Sequence, residues 1–172
     1  MEELRLRKSA RKDSLRIEKL VNDYYFNIVP RVLDIEEEET VCKKIVDKDG
    51  HILAGCTGYI YPRGMMYIDD MWVDEKYRHQ ELGSNALQAV EKVAEEKGVY
   101  LITLGTWDFQ AKPYYLKHGY TVFSTEKDCP KGHENYELFK LLNQNHVKRQ
   151  CKPIPYEILD GNEEDGIISA IN

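Results

Sequence analysis

The chain has 172 residues, 42% hydrophobic and 31% charged, with a formal net charge of −6. That length suits one domain with a sizeable core and is short for two, and no apolar run approaches the roughly 18 residues of a membrane span. The acidic balance argues against nucleic acid, whose binders carry a basic stripe, and favours cationic substrates over anionic ones.

The opening MEELRLRKSARK lacks the apolar core of a secretion signal, which points to the cytoplasm. Leu4 and Leu6 alternate with Arg5 and Arg7, predicting an edge strand over 4–10 with one wet face. Asp13 or Ser14 should then cap a helix whose apolar residues Ile17, Leu20, Val21, Tyr24 and Tyr25 recur at helical spacing, with Pro30 at its end. VLDIEEEET reads as a short helix or loop. VCKKIVD and ILAGCTGYIY are strand-like and flank the hairpin signal Lys48-Asp49-Gly50, and a second turn at Pro62-Arg63-Gly64 leads into MMYIDDMWV. Three consecutive strands thus form an antiparallel meander.

The period then changes. Ala86, Leu87, Val90, Val93 and Ala94 mark one face of a helix that should stop at Gly98. The nearly unbroken apolar run VYLITLGTW predicts a strand buried on both faces and paired in parallel. A short helix follows around 111–118 with Pro113 in its first turn, then strands YTVFSTE and NYELFKLL joined by DCPKGH. The fold class is α+β, an α/β/α sandwich on a mixed, mostly antiparallel sheet. Residues 1–142 form the domain, and 143–172 are an extension that is either partly disordered or packs on the domain or on a partner through Ile154, Tyr156, Ile158 and Leu159. Cys42, Cys56, Cys129 and Cys151 are widely spaced, lack a C-x-x-C pair and read as free thiols. No histidine spacing suggests a metal.

Between MMYIDDMWV and the following helix lies YRHQELGSNAL. A turn leading into a helix N-terminus leaves several backbone N–H groups unpartnered and carries the positive end of the helix dipole, about half an elementary charge. That suits a phosphate. Lys76, Arg78 and His79 add donors, Gly83 would let a ligand approach closely, and Ser84 could cap the helix; a solvated loop with a cap at Ser84 is the competing reading.

Together with D108-x2-A111-x3-Y115-x3-G119-Y120 downstream, this stretch resembles the GNAT N-acetyltransferase superfamily over roughly residues 4–142. The family segment R/Q-x-x-G-x-G/A places Arg78 and Gly83 on its first and last positions and Glu81 on its first glycine. The resemblance implies a sheet with a central splayed parallel strand pair and a cosubstrate, acetyl-CoA, whose pyrophosphate meets the amides of Arg78, His79, Gln80, Leu82, Gly83 and Ser84. It also implies that the backbone at Met71, Trp72 and Val73 polarises the thioester carbonyl, that Asp108 and Ala111 lie near the pantetheine arm, and that Tyr115 is the general acid. Tyr114 would point about 100° away. Asp108 replaces the usual Asn. If position 81 needs a positive φ, glutamate costs on the order of 1–2 kcal/mol there.

Asp69 and Asp70 are adjacent carboxylates in an apolar strand. Alternation would send only one of them to the cleft, and Asp70 is chosen as base or amine anchor, with no argument separating it cleanly from Asp69. The acidic run 34–39 could attract a cationic amine within a Debye length of about 8 Å, although a solvated face is the ordinary reading. His133, in the last hairpin, could overhang the acceptor or simply stabilise its turn. The implied function is N-acetylation of a small-molecule primary amine by direct attack in a ternary complex, with a homodimer plausible from the family. Acetylation of a protein lysine or N-terminus and a non-catalytic acyl-CoA sensor are the alternatives.

Overall fold

Every strand but the last two follows the meander and crossover that the hydrophobic period predicts. The computed structural model describes residues 6–8, 10–35 and 37–142. Its elements are α1 (Arg11–Ile28), β1 (Glu39–Val46), β2 (Ile52–Tyr61), β3 (Met65–Val73), a single 3-10 turn at Glu75–Tyr77, α2 (Leu82–Glu96), β4 (Leu101–Trp107), α3 (Lys112–Lys117), β5 (Thr121–Lys127) and β6 (Glu134–Leu141). The sheet order is β1-β2-β3-β4-β6-β5. Among the described residues only β3 and β4 run parallel; α2 makes the crossover between them.

The β1–β2 turn is tied by Asp47, whose Oδ1 accepts from the amides of Asp49 and His51. At the β2–β3 turn Gly64 has φ +79, and a side chain there would also meet Val32 and Tyr100 within about 3 Å. Glycine is therefore required by both backbone and space. Gly98, with φ +82, ends α2 where its apolar period stops.

One face of the sheet carries the core. Ala54, Cys56, Ile60, Met66, Ile68, Ile102, Leu104 and Leu138 are buried against Ala86, Leu87, Val90 and Ala94 of α2. On this side Glu91 is held in a half-sealed network: Tyr120 Oη donates to its Oε1 at 2.8 Å and Lys140 Nζ to its Oε2 at 2.8 Å. The other face presents alternate residues such as Tyr59, Tyr67, Thr103 and Phe139 and is here called the open face.

Two expectations fail at the N-terminus. The edge strand over 4–10 is absent where it can be seen: residues 6–8 and 10 make no ladder, and Leu6 is fully exposed. Alternation supplies local propensity, but a strand exists only with a partner edge. Helix α1 begins at Arg11, earlier than Asp13 or Ser14 would place it; Asp13 instead reaches back, its Oδ2 accepting from the Ala10 amide at 2.9 Å. The stripe Ile17, Leu20, Val21 and Tyr24 is real but buries nothing within the described residues. The segment after it is loop, without a helix. The extension 143–172, including Cys151, and position 36 lie outside the described residues; Cys42, Cys56 and Cys129 are free thiols.

Candidate active site

Strands β3 and β4 pair for only four residues, Met65–Ile68 against Leu101–Leu104. Beyond that point β4 stays with β6 as far as Trp107 opposite Asn135, while β3 stays with β2 as far as Val73 opposite Ala54. The two central strands therefore part after Ile68 and Leu104. Backbone groups of Asp69–Val73 on the β4 side have no ladder to join, which places Met71, Trp72 and Val73 along one wall of the opening.

A bulge accompanies the parting. Thr57 pairs with Asp70 and Gly58 with Ile68, so Asp69 is the extra residue on β3. The bulge resets alternation. Met71 and Val73 return to the core side, where they pack on α2, and both Asp69 and Asp70 are exposed on the open face. Tyr59 Oη donates to Asp69 Oδ2 at 3.4 Å. The expectation that only one carboxylate reaches that face is thus corrected: strict alternation does not cross a bulge.

Helix α2 starts at Leu82, with Glu81 as its N-cap residue, so Ser84 is inside the first turn and does not cap it. Glu81 sits at φ 61, ψ 3, the left-handed conformation a family glycine would supply, and its side chain makes no capping bond. His79 is left-handed as well, at φ 62. The first intrahelical bond runs from the Asn85 amide to Glu81 O, leaving the amides of Leu82, Gly83 and Ser84 without an intramolecular acceptor among the described residues. Arg78, His79 and Gln80 are exposed on the approach, Gln80 Nε2 donating to Lys76 O at 3.2 Å.

Gly83 serves packing. It is buried, and a Cβ there would lie 2.9 Å from Met71 Cε, 3.1 Å from Val73 Cγ2 and 3.5 Å from Tyr114 Oη. Its lack of a side chain lets the helix end settle against the parted β3. Ser84 Oγ lies 3.0 Å from His118 Nε2, whose Nδ1 lies 2.8 Å from Tyr114 O, so α3 is braced on the same turn.

Tyr115 is buried, and its hydroxyl donates to Met71 Sδ at 3.8 Å, which puts it beside the opening. Burial, aided by the nearby Cys56 and Tyr114, holds its phenol well above the ordinary tyrosine range, so it keeps its proton. Burial likewise pushes Tyr114 up to about 12. Thr106 Oγ1 accepts from the Ala111 amide at 3.3 Å, which anchors the start of α3. Asp108 is turned to His133, Oδ1 to Nδ1 at 3.1 Å, and Phe109 packs edge-on to the His133 ring at 4.8 Å. His133 therefore locks the last hairpin to the end of β4. In the acidic run, Glu39 pairs with Lys97 at 2.8 Å.

A further cluster escaped the sequence reading. On the open face at the point of parting, a Cβ on Gly105 would lie 3.1 Å from Glu137 Oε1, 3.3 Å from Tyr67 Oη and 3.7 Å from Asn135 Oδ1. The available signal was the polar pair Asn135 and Glu137 at strand spacing in the final strand, visible only once β6 is known to lie beside β4.

A central parallel pair that parts, a helix N-terminus with free amides and a buried tyrosine hydroxyl, both beside Met71 of the parted β3, are the marks of one enzyme class, the acetyl-group transferases of the GNAT type. The model of the acetyltransferase (GNAT) family matches residues 9–120, and the chain belongs to that family. It is an N-acetyltransferase, and acetyl-CoA is its cosubstrate. Among similar proteins, the blasticidin-S acetyltransferase of Streptomyces morookaense is 32% identical over 94 residues, 54% of this chain and 68% of that protein. The uncharacterised N-acetyltransferase YjcF of Bacillus subtilis is 29% identical over 112 residues, 65% of this chain and 79% of that protein. The crystal structure of an acetyltransferase from Bacillus cereus superposes with a TM-score of 0.74 at 34% identity, covering 81% of this chain and 98% of that one. No helix among the described residues is long and apolar enough to cross a membrane.

Proposed function

We propose that the chain acetylates a primary amine of a small molecule by direct attack within a ternary complex. The observation that carries this reading is the end of β3–β4 pairing at Ile68 and Leu104 with the Tyr115 hydroxyl beside it. The residues present fit the cosubstrate: three unpartnered amides at 82–84 stand at the positive end of α2, and Arg78 lies on the approach. Acetyl-CoA supplies the thioester carbon at which the amine forms a C–N bond while the C–S bond breaks. Tyr115 holds the proton that the departing sulfur takes, and its phenolate recovers one from the amine nitrogen. Amides of Met71, Trp72 and Val73 line the wall where a carbonyl oxygen would need donors. His79, Gln80, Leu82, Asp108 and Ala111 complete the cosubstrate side, and Asp70, on the open face, accepts the amine's first proton.

The relative named for blasticidin S supports a small-molecule acceptor over a protein. Residues 1–142 form the catalytic unit, working in the cytoplasm. A homodimer is part of the proposal, supported by the apolar stripe of α1, which nothing covers among the described residues. Purified protein, acetyl-CoA, an unbiased amine panel and thiol detection test the reading: thiol release with small amines is expected. Release only with peptides, or CoA binding with no release from any acceptor, would overturn it in favour of protein acetylation or a sensor.

A further inference from the structure

The open face contains a carboxylate that the reaction outlined above does not use. Glu137 is half-buried on β6, next to the place where β3 and β4 part, and belongs to none of the ion pairs formed among the described residues. Asn135 Nδ2 donates to its Oε1 at 3.0 Å and to Glu126 Oε2 at 3.4 Å. That arrangement fixes the amide so that Asn135 Oδ1 turns toward Gly105, where Glu137 Oε1 and Tyr67 Oη also converge. Three oxygens, two from β6 and one from β3, thus surround one bare backbone position on β4 between them. The three atoms nearest to where a Gly105 Cβ would stand are all these oxygens.

Oxygens do not gather this way without a reason. A half-buried carboxylate with no cation opposite it is unfavourable, and its neighbours feel it: burial first, and then the Glu137 charge, raise the Tyr67 phenol. An alkylammonium offers three N–H donors on one charged centre, which matches three acceptors around one point. A carboxylate or phosphate would be repelled by Glu137.

We propose that Glu137, Asn135 and Tyr67 form a binding site for a primary ammonium of the acceptor, holding it over Gly105 at the mouth of the parted strands. The inference rests on the acetyltransferase reading and deepens it by naming where the acceptor's charge is recognised. Glu137 is a binding residue in this account, and Asp70 keeps the proton-accepting role. The acceptor class that follows is a cation at neutral pH; amines whose nitrogen is neutral or flanked by a carboxylate are excluded.

Calorimetric titration of the CoA-loaded full chain with butylammonium and 1,4-butanediammonium chloride tests this directly. Wild type should bind both, and Glu137→Gln, which keeps the shape and the Asn135 bond, should weaken them about 10–100-fold. In turnover with an accepted amine the same variant should raise KM by a similar factor with kcat little changed, whereas Asp70→Asn should lower kcat. Gly105→Ala, which puts a methyl among the three oxygens, should also weaken the amine. Absence of amine binding in wild type, or equal binding by Glu137→Gln, would overturn the site. Failure of the acetyltransferase reading registers separately, as a thermal midpoint that CoA does not raise.

Discussion

The two faces of the sheet around the parted strands are built by different means. On the core side, the proposed recognition is made of backbone: the amides of Leu82, Gly83 and Ser84 are set by the start of α2 against Met71 and Val73, with Tyr114 and Tyr115 packed behind them. On the open side it is made of exposed and half-buried side chains, with Asp69 and Asp70 displaced by a bulge and Glu137 brought in from the far end of the chain. A shared cosubstrate calls for fixed backbone, whereas an acceptor particular to each enzyme calls for side chains that change without disturbing the core. Damage on the first side should therefore affect the fold, the cosubstrate or its chemistry, and damage on the second should affect the amine, its binding at Glu137 and its deprotonation at Asp70, with the fold left intact.

The strongest way to break that contrast is Tyr115→Phe. Loss of the proton beside Met71 Sδ should reduce kcat about 100-fold with CoA affinity retained, because proton donation contributes on that scale. Wild-type turnover would remove the acid assignment. Next is Gly83→Val: its Cβ would stand 2.9 Å from Met71 Cε and 3.1 Å from Val73 Cγ2, so overpacking should cost about 1–3 kcal/mol in urea unfolding and weaken CoA as well. Unchanged stability would mean that the helix end does not rest on β3.

Alkaline titration sharpens the same contrast. Burial raises Tyr114 from 10.0 to about 12 and Cys56 from 9.0 to about 12, and also raises Tyr115 and Tyr120, all on the core side. Groups that bind protons more tightly when folded stabilise the fold below their unfolded values and lose that contribution as pH climbs through the folded ones. Urea midpoints should therefore hold up to about pH 9 and fall steadily toward pH 12; a flat profile across that window would contradict the burial of these groups. The smallest effect is expected from Glu81→Gly. It removes a left-handed non-glycine residue and a negative charge at the helix N-terminus, and should tighten CoA by about threefold in equilibrium binding. Weaker binding would mean that the carboxylate assists the site.

Much of this was legible in the sequence, and what was not shares a physical cause. Period-two runs, the turn residues around Gly50 and Gly64 and the stop at Gly98 located the meander and α2, because those signals are local. The free amides of the proposed site followed from them, since such amides come with any helix start. The bulge at Asp69 was not readable: an extra residue exists only relative to a paired strand, and MMYIDDMWV alone cannot reveal its register. Glu137 was hidden for a related reason, as its neighbours Tyr67 and Gly105 come from strands distant in the chain. Alternation at Leu4–Arg7 misled in the opposite sense, giving a strand pattern with no edge for it to join.

The central claim is that the amides opening α2 hold the diphosphate of the cosubstrate. Backbone amide NMR of the protein titrated with CoA tests it most directly. The account predicts large downfield shifts at Leu82, Gly83 and Ser84, with saturation at the affinity measured independently. Shifts confined to other regions, with these three amides unmoved at saturation, would contradict it.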